Sequence, residues 1–222
     1  MTKNEIQQRI VEIGIVPVVR AASAQQAVLA AEAVAAGGIP IVEITMTVPG
    51  AIDVITQLAR SIGQQVLIGA GTVLDAETAG RCLDAGAQFL VSPGFDRETV
   101  ELARRRQTLI MAGALTPTEV ITAYQAGSDF VKIFPCGNVG GPAYIKALKA
   151  ALPQIPMIPT GGVNLTTAAD FLRAGAAALG VGGELVSRKE LEAGNAAFLT
   201  NNARRYVTVI RETREGGKSH VA

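Results

Sequence analysis

Four times along the chain an Ala-Gly pair closes a helix-like stretch, and a strand-like stretch follows at once: Ala36-Gly37, Ala85-Gly86, Ala126-Gly127 and Ala174-Gly175. Glycine suits the left-handed turn that ends a helix. The four glycines are 49, 41 and 48 residues apart, roughly two βα units of about 23 residues each. Apolar strand-like runs fall at 15–19, 39–44, 66–70, 88–91, 108–112, 129–135, 155–158 and 177–181. Eight strands alternating with helices predict a single (β/α)8 barrel over residues 1–214, with a short leader helix at 3–13 and a flexible tail at 215–222. The competing fold, a doubly wound open sheet, calls for a Gly-rich turn after an early strand, and Val19-Arg20-Ala21-Ala22 is no such turn.

Helix signals agree with this division. Ser23, Asp75 and Asp96 stand where N-caps are needed, and Thr116-Pro117-Thr118-Glu119 reads as a capping box with proline in the first turn. Pro142 opens a helix to Leu152, another spans 164–174, and a long helical stretch runs from 189 to 214. The Arg104-Arg105-Arg106 triplet complements the negative end of a helix dipole.

Composition narrows the chemistry. Hydrophobic residues make up 49% but aromatics only 4%, so the core is aliphatic, as parallel strands covered by helices require. With 20 basic and 19 acidic residues, the net charge of +1 favours neither nucleic acid nor an anionic membrane. The longest apolar runs are strand-length, and the polar start Met-Thr-Lys-Asn-Glu does not read as a signal peptide. Two cysteines, Cys82 and Cys136, on different elements fit a reduced cytoplasmic protein without a disulfide framework. The one histidine, His220, sits in the tail. Its isolation removes serine-type triads, His-bearing metal sites and imidazole acid–base chemistry, and no metal or organic cofactor is called for.

In a barrel, function gathers at the C-terminal strand ends. Those ends hold Arg20, Glu43 with Thr45, Gly71-Thr72, Ser92-Pro93, Ala112-Gly113, Lys132, Thr160-Gly161-Gly162 and Gly182-Gly183. Lys132 stands inside Asp129-Phe-Val-Lys-Ile-Phe-Pro135. Burial of an ammonium favours the neutral, nucleophilic amine. An edge-strand lysine guarding against aggregation is the other reading, and a closed barrel has no edge. Glu43 is either a solvated strand-end charge or the general base beside that amine. Arg20 is a surface charge or a fork for a carboxylate or phosphate. Thr72 is a turn cap or a donor to the same anion. The glycine pairs after strands seven and eight are tight turns or the backbone of a phosphate site.

Val18-Val-Arg-Ala21, Val42-Glu-Ile-Thr45, Ile68-Gly-Ala-Gly-Thr-Val73, Val91-Ser-Pro93, Lys132-Ile-Phe-Pro135, Pro159-Thr-Gly-Gly-Val163 and Gly180-Val-Gly-Gly183 together carry a resemblance. In their order and spacing the chain resembles the class I 2-keto-3-deoxy-6-phosphogluconate (KDPG) aldolases, often also active on 4-hydroxy-2-oxoglutarate, up to about Arg211. The resemblance implies a homotrimeric barrel acting on a small keto acid, with Lys132 forming a Schiff base and Glu43 as general acid/base. It places Arg20 and Thr72 at the pyruvate carboxylate, Pro93 and Phe134 along the pocket, and Thr160, Gly161, Gly162, Gly182 and Gly183 around the distal phosphate. Two departures stand out: the loop Thr45-Met-Thr-Val-Pro49 lacks the arginine many members have, and Glu184 replaces a common serine. The substrates compatible with both are the phosphorylated sugar acid and an unphosphorylated 2-keto acid. A catalytically silent sugar-phosphate binder is the alternative outside enzymes.

Overall fold

The computed structural model describes residues 1–218; His220 and the rest of the terminus lie outside the described residues. Helix α1 (Lys3–Ile13) leads into β1 (Ile15–Val19), α2 (Ala24–Ala36), β2 (Ile41–Thr45), α3 (Ala51–Ser61), β3 (Leu67–Gly71) and α4 (Ala76–Asp84). Then follow β4 (Phe89–Val91), α5 (Arg97–Arg105), β5 (Leu109–Ala114), α6 (Pro117–Ala126), β6 (Phe130–Ile133), a 3₁₀ turn (Cys136–Val139) and α7 (Pro142–Ala151). The chain continues through β7 (Met157–Pro159), α8 (Ala168–Arg173), β8 (Leu179–Val181), α9 (Arg188–Glu192) and α10 (Ala196–Lys218).

All strand pairs are parallel, in the order β7-β6-β5-β4-β3-β2-β1-β8, and a parallel bridge between Thr160 and Gly180 joins the two ends. The expected (β/α)8 barrel is therefore the observed fold. Every strand residue is buried, with helices outside and aliphatic side chains filling both layers. The predicted caps form: Ser23, Asp75, Asp96 and Thr116 each accept the N3 backbone N–H, and Glu119 completes its capping box. Of the Ala-Gly signals, Gly86, Gly127 and Gly175 take the left-handed conformation. At the first, Gly38 takes it instead, because Gly37 is needed for close approach: a Cβ there would press on Ala203 and on the Thr200 carbonyl of α10.

Three boundaries differ from expectation for local reasons. The Asn164 side chain accepts the N–H groups of Thr166 (2.9 Å) and Thr167 (3.0 Å), so a turn occupies 164–167 and α8 begins only at Ala168. The final helix is broken at Gly194 (φ 66°) into α9 and α10. Helix α10 then continues to Lys218, four residues into the segment expected to be tail.

Candidate active site

The site starts from two glycines in β3. A Cβ on Gly69 would overlap the Phe89 ring, and one on Gly71 would overlap the Glu43 carboxylate. Their lack of side chains makes room inside the barrel for that ring and for Glu43, which lies on the neighbouring strand in register with Gly69. Across the barrel, Lys132 in β6 reaches the same space. Its Nζ is 3.8 Å from Glu43 Oε1, an ion-pair contact too long for a hydrogen bond, and both residues are nearly inaccessible, at 4% and 2% exposure. Among the described residues, none donates a hydrogen bond to Glu43 Oε1. Burial pushes the Glu43 carboxyl above the usual carboxylate range, against the opposing pull of Lys132 and Arg20. The Phe134 ring lies 5.4 Å from the ammonium, within cation–π distance.

The surrounding strand ends converge on this pair. Arg20 follows β1, is exposed, and is close enough for its charge to act on Glu43. Val19, its neighbour, accepts a hydrogen bond from the buried Thr45 hydroxyl at 3.0 Å, which ties the ends of β1 and β2 together. Thr72, directly after Gly71, has φ 56°, a left-handed conformation that a β-branched residue adopts only under strain. Ser92 is buried; its hydroxyl donates to Gly94 O (2.6 Å) and accepts from Gly113 N (3.4 Å). A Cβ on Gly113, which lies within β5 and not after it, would strike the Pro93 backbone. Pro93 is thus held against β5. The two thiols do not compete with Lys132 as nucleophiles: burial pushes Cys82 and Cys136 up to about 11.

The two glycine pairs lie side by side, because Gly162 and Gly182 each follow the Thr160–Gly180 bridge by two residues. Gly161 (φ 84°) and Gly162 (φ 77°) have left-handed backbones, and a Cβ on Gly162 would meet Gly137 Cα at 2.7 Å. Gly182 and Gly183 face open space. Among the described residues, none of these four glycines gives its N–H to a protein acceptor, whereas the Gly182 carbonyl accepts from both Leu185 and Val186 at 2.9 Å. The turn therefore presents donors and hides its acceptor. Glu184, next in the chain, is exposed.

The structure thus gathers Lys132, Glu43, Phe134 and Arg20 around one space, with Thr72 and Pro93 just after β3 and β4, and Thr160 with both glycine pairs just after β7 and β8. Gly69, Gly71 and Ser92 also shape the pocket; they stood among the strand ends and motifs of the sequence without a role of their own. Gly71 had a signal, as the second of two glycines spaced two apart in a buried strand. A buried amine and carboxylate facing each other at the mouth of a (β/α)8 barrel define a site for carbonyl chemistry through an imine. The chain belongs to the KDPG and KHG aldolase family, whose model matches residues 6–201. It is 36% identical to the 2-dehydro-3-deoxy-phosphogluconate aldolase of Pseudomonas aeruginosa, covering 72% of this chain and 73% of that one. It is 34% identical to the 2-dehydro-3-deoxy-6-phosphogalactonate aldolase of Escherichia coli, over 78% and 85% of the two chains. Among solved structures it resembles the KDPG aldolase of Legionella pneumophila, in which pyruvate was captured as a covalent carbinolamine intermediate (TM-score 0.83, 28% identity, 89% and 96% covered).

Proposed function

We propose that the chain is a Schiff-base-forming aldolase that reversibly cleaves 2-keto-3-deoxy-6-phosphogluconate to pyruvate and glyceraldehyde 3-phosphate. The buried Lys132–Glu43 contact at 3.8 Å carries this reading. Lys132 attacks the C2 carbonyl, water leaves, and the protonated imine becomes an electron sink. Glu43, through a water, takes the C4 hydroxyl proton as the C3–C4 bond breaks and its electrons pass to the imine nitrogen as an enamine. The same carboxyl then returns a proton to C3, and hydrolysis frees pyruvate. A carboxyl whose pKa is raised by burial suits both halves of this exchange. Arg20 and Thr72 hold the pyruvate carboxylate, and Pro93 and Phe134 line the reacting end. The free N–H groups of the two glycine pairs, with Thr160, receive the distal phosphate.

Incubation with pyruvate and borohydride tests this directly: the expected result is a single pyruvate adduct on Lys132, and a chain without it overturns the imine step and leaves only a binder. A second reading, preference for the unphosphorylated 4-hydroxy-2-oxoglutarate, is favoured by the exposed Glu184 carboxylate, which repels a doubly charged phosphate at the distal donors more than that substrate's shorter, singly charged end. Equal turnover of the two substrates would remove the phosphate site. A homotrimer in the cytoplasm accompanies the family resemblance; light scattering that gave the mass of one 23.0-kDa chain would exclude the trimer.

A further inference from the structure

Among the described residues, two buried side-chain atoms have no hydrogen-bond partner. One is Glu43 Oε1, which the lyase chemistry uses; the other is the hydroxyl of Tyr206, fully buried in α10, which nothing in that chemistry explains. An orphaned buried hydroxyl costs stability and leaves a donor available to a partner in another state of the protein. Its surroundings name one. Asn202 lies one helical turn before Tyr206, on the same face of α10, and its amide nitrogen donates to the carbonyls of Glu184 (2.8 Å) and Leu185 (3.1 Å). The loop after β8 is therefore pinned by its backbone to α10, one helical turn from the residue that bears the unpartnered hydroxyl. The Glu184 side chain remains exposed and forms no ion pair among the described residues.

We propose that Tyr206 is a specificity-determining residue for the distal end of the substrate. When a phosphate group occupies the Gly161–Gly162 and Gly182–Gly183 donors, the Glu184 carboxylate turns away and accepts a hydrogen bond from the Tyr206 hydroxyl, while Asn202 keeps the backbone donors in place. This deepens, and rests on, the distal-phosphate reading. The charge complement supports it. A bound phosphate repels an exposed carboxylate next to it, and a phenol offers that carboxylate a charge-assisted hydrogen bond out of the way. Burial first, and then the charge of Glu184, pushes the Tyr206 hydroxyl up, so it stays protonated and able to donate.

The test compares the full chain and Tyr206→Phe on phosphorylated KDPG and on 4-hydroxy-2-oxoglutarate. Losing a hydrogen bond to a charged acceptor is expected to raise KM for the phosphorylated substrate about tenfold, with kcat and the plain substrate's KM within about twofold. Melting temperature should hold or rise, because the substitution removes an orphaned hydroxyl. In a Glu184→Gln background the same change should have no further effect. A purely structural tyrosine would instead alter both substrates alike or neither, and either result overturns the proposal. If the unmodified protein itself shows equal KM values for the two substrates, the distal-phosphate reading falls and takes the Tyr206 proposal with it. If it prefers phosphate and Tyr206→Phe keeps the preference, the Tyr206 proposal falls alone. Should the variant fold poorly, ¹³C-tyrosine NMR of the unmodified chain serves in its place, with Tyr124 and Tyr144 assigned by Phe substitutions. Inorganic phosphate should move the Tyr206 signal and pyruvate should not; a signal that phosphate leaves in place overturns the proposal.

Discussion

In the proposed reaction the reacting end of the substrate meets two buried side chains, and the distal end meets backbone. Lys132 and Glu43 are rooted in the middle of strands, and the Glu43 carboxylate packs over Gly71, where a side chain would leave it no room. The donors of the glycine pairs sit on loops beyond the strand ends, where side-chain identity matters little and conformational freedom much. Rigid residues suit the step common to every 2-keto acid, and adaptable backbone suits the part that differs from one aldehyde to the next.

The sharpest way to break this contrast is at the amine. Lys132→Met should lower turnover on every substrate by on the order of 10⁵-fold and abolish the borohydride adduct. A loss confined to phosphorylated substrate would place the nucleophile elsewhere. Next in size, Glu43→Gln should still form the imine but slow solvent-proton exchange at the pyruvate methyl by about 10²–10⁴-fold, read by NMR. Unchanged exchange would clear Glu43 of its role.

The raised Glu43 pKa adds a pH signature with opposite signs for activity and stability. Above the unfolded value of 4.5 the unfolded chain loses the Glu43 proton first, while the folded chain still binds it. This group's contribution to stability therefore falls as pH climbs from 4.5 through the folded pKa. Exchange, which needs the ionised base, rises over the same window. Urea unfolding across pH should show the fall in the native chain and lose it in Glu43→Gln; a native chain without it would contradict the burial of that carboxyl.

The smallest effect belongs to the glycine end. Glu184→Gln should improve KM for the phosphorylated substrate by about threefold, through removal of a screened repulsion, and leave the plain substrate alone. An equal gain on both would break the division between the two ends.

The sequence displays the amine end far more fully than the glycine end. Helix stops and caps mark most βα units, though not the one that carries α3, and a lysine or glutamate in an apolar strand is conspicuous in the sequence alone. Strand ends moved by a residue or two because apolar runs continue past the last ladder bond, as at Ile39 and at Ile155, which precede their strands. What escaped are the roles of residues that hold another segment's backbone, and one buried hydroxyl. Ser92 holds the Pro93 turn, Asn202 anchors a loop 17 residues and more away along the chain, and Tyr206 looks from sequence like one more apolar face of a helix. The turn at Asn164 was hidden for a related reason: Asn-Leu-Thr-Thr is a plausible helix start until the asparagine side chain takes the backbone N–H groups for itself.

The Thr160–Gly180 bridge has a further consequence. Neighbouring strands elsewhere in the barrel are laced by two to five residue pairs, but β7 and β8 share this one bridge, plus a bond from Ala177 N to the Met157 carbonyl. The cylinder has a lightly stitched seam, and both glycine loops hang from it. Amide hydrogens along that seam are the ones to exchange first, and a ligand spanning the two loops would act as an extra stitch. In such a design, changes that adapt the loops to a new substrate tail strain the weakest joint of the barrel and leave the seven well-laced strand junctions, with the amine and carboxylate they carry, undisturbed.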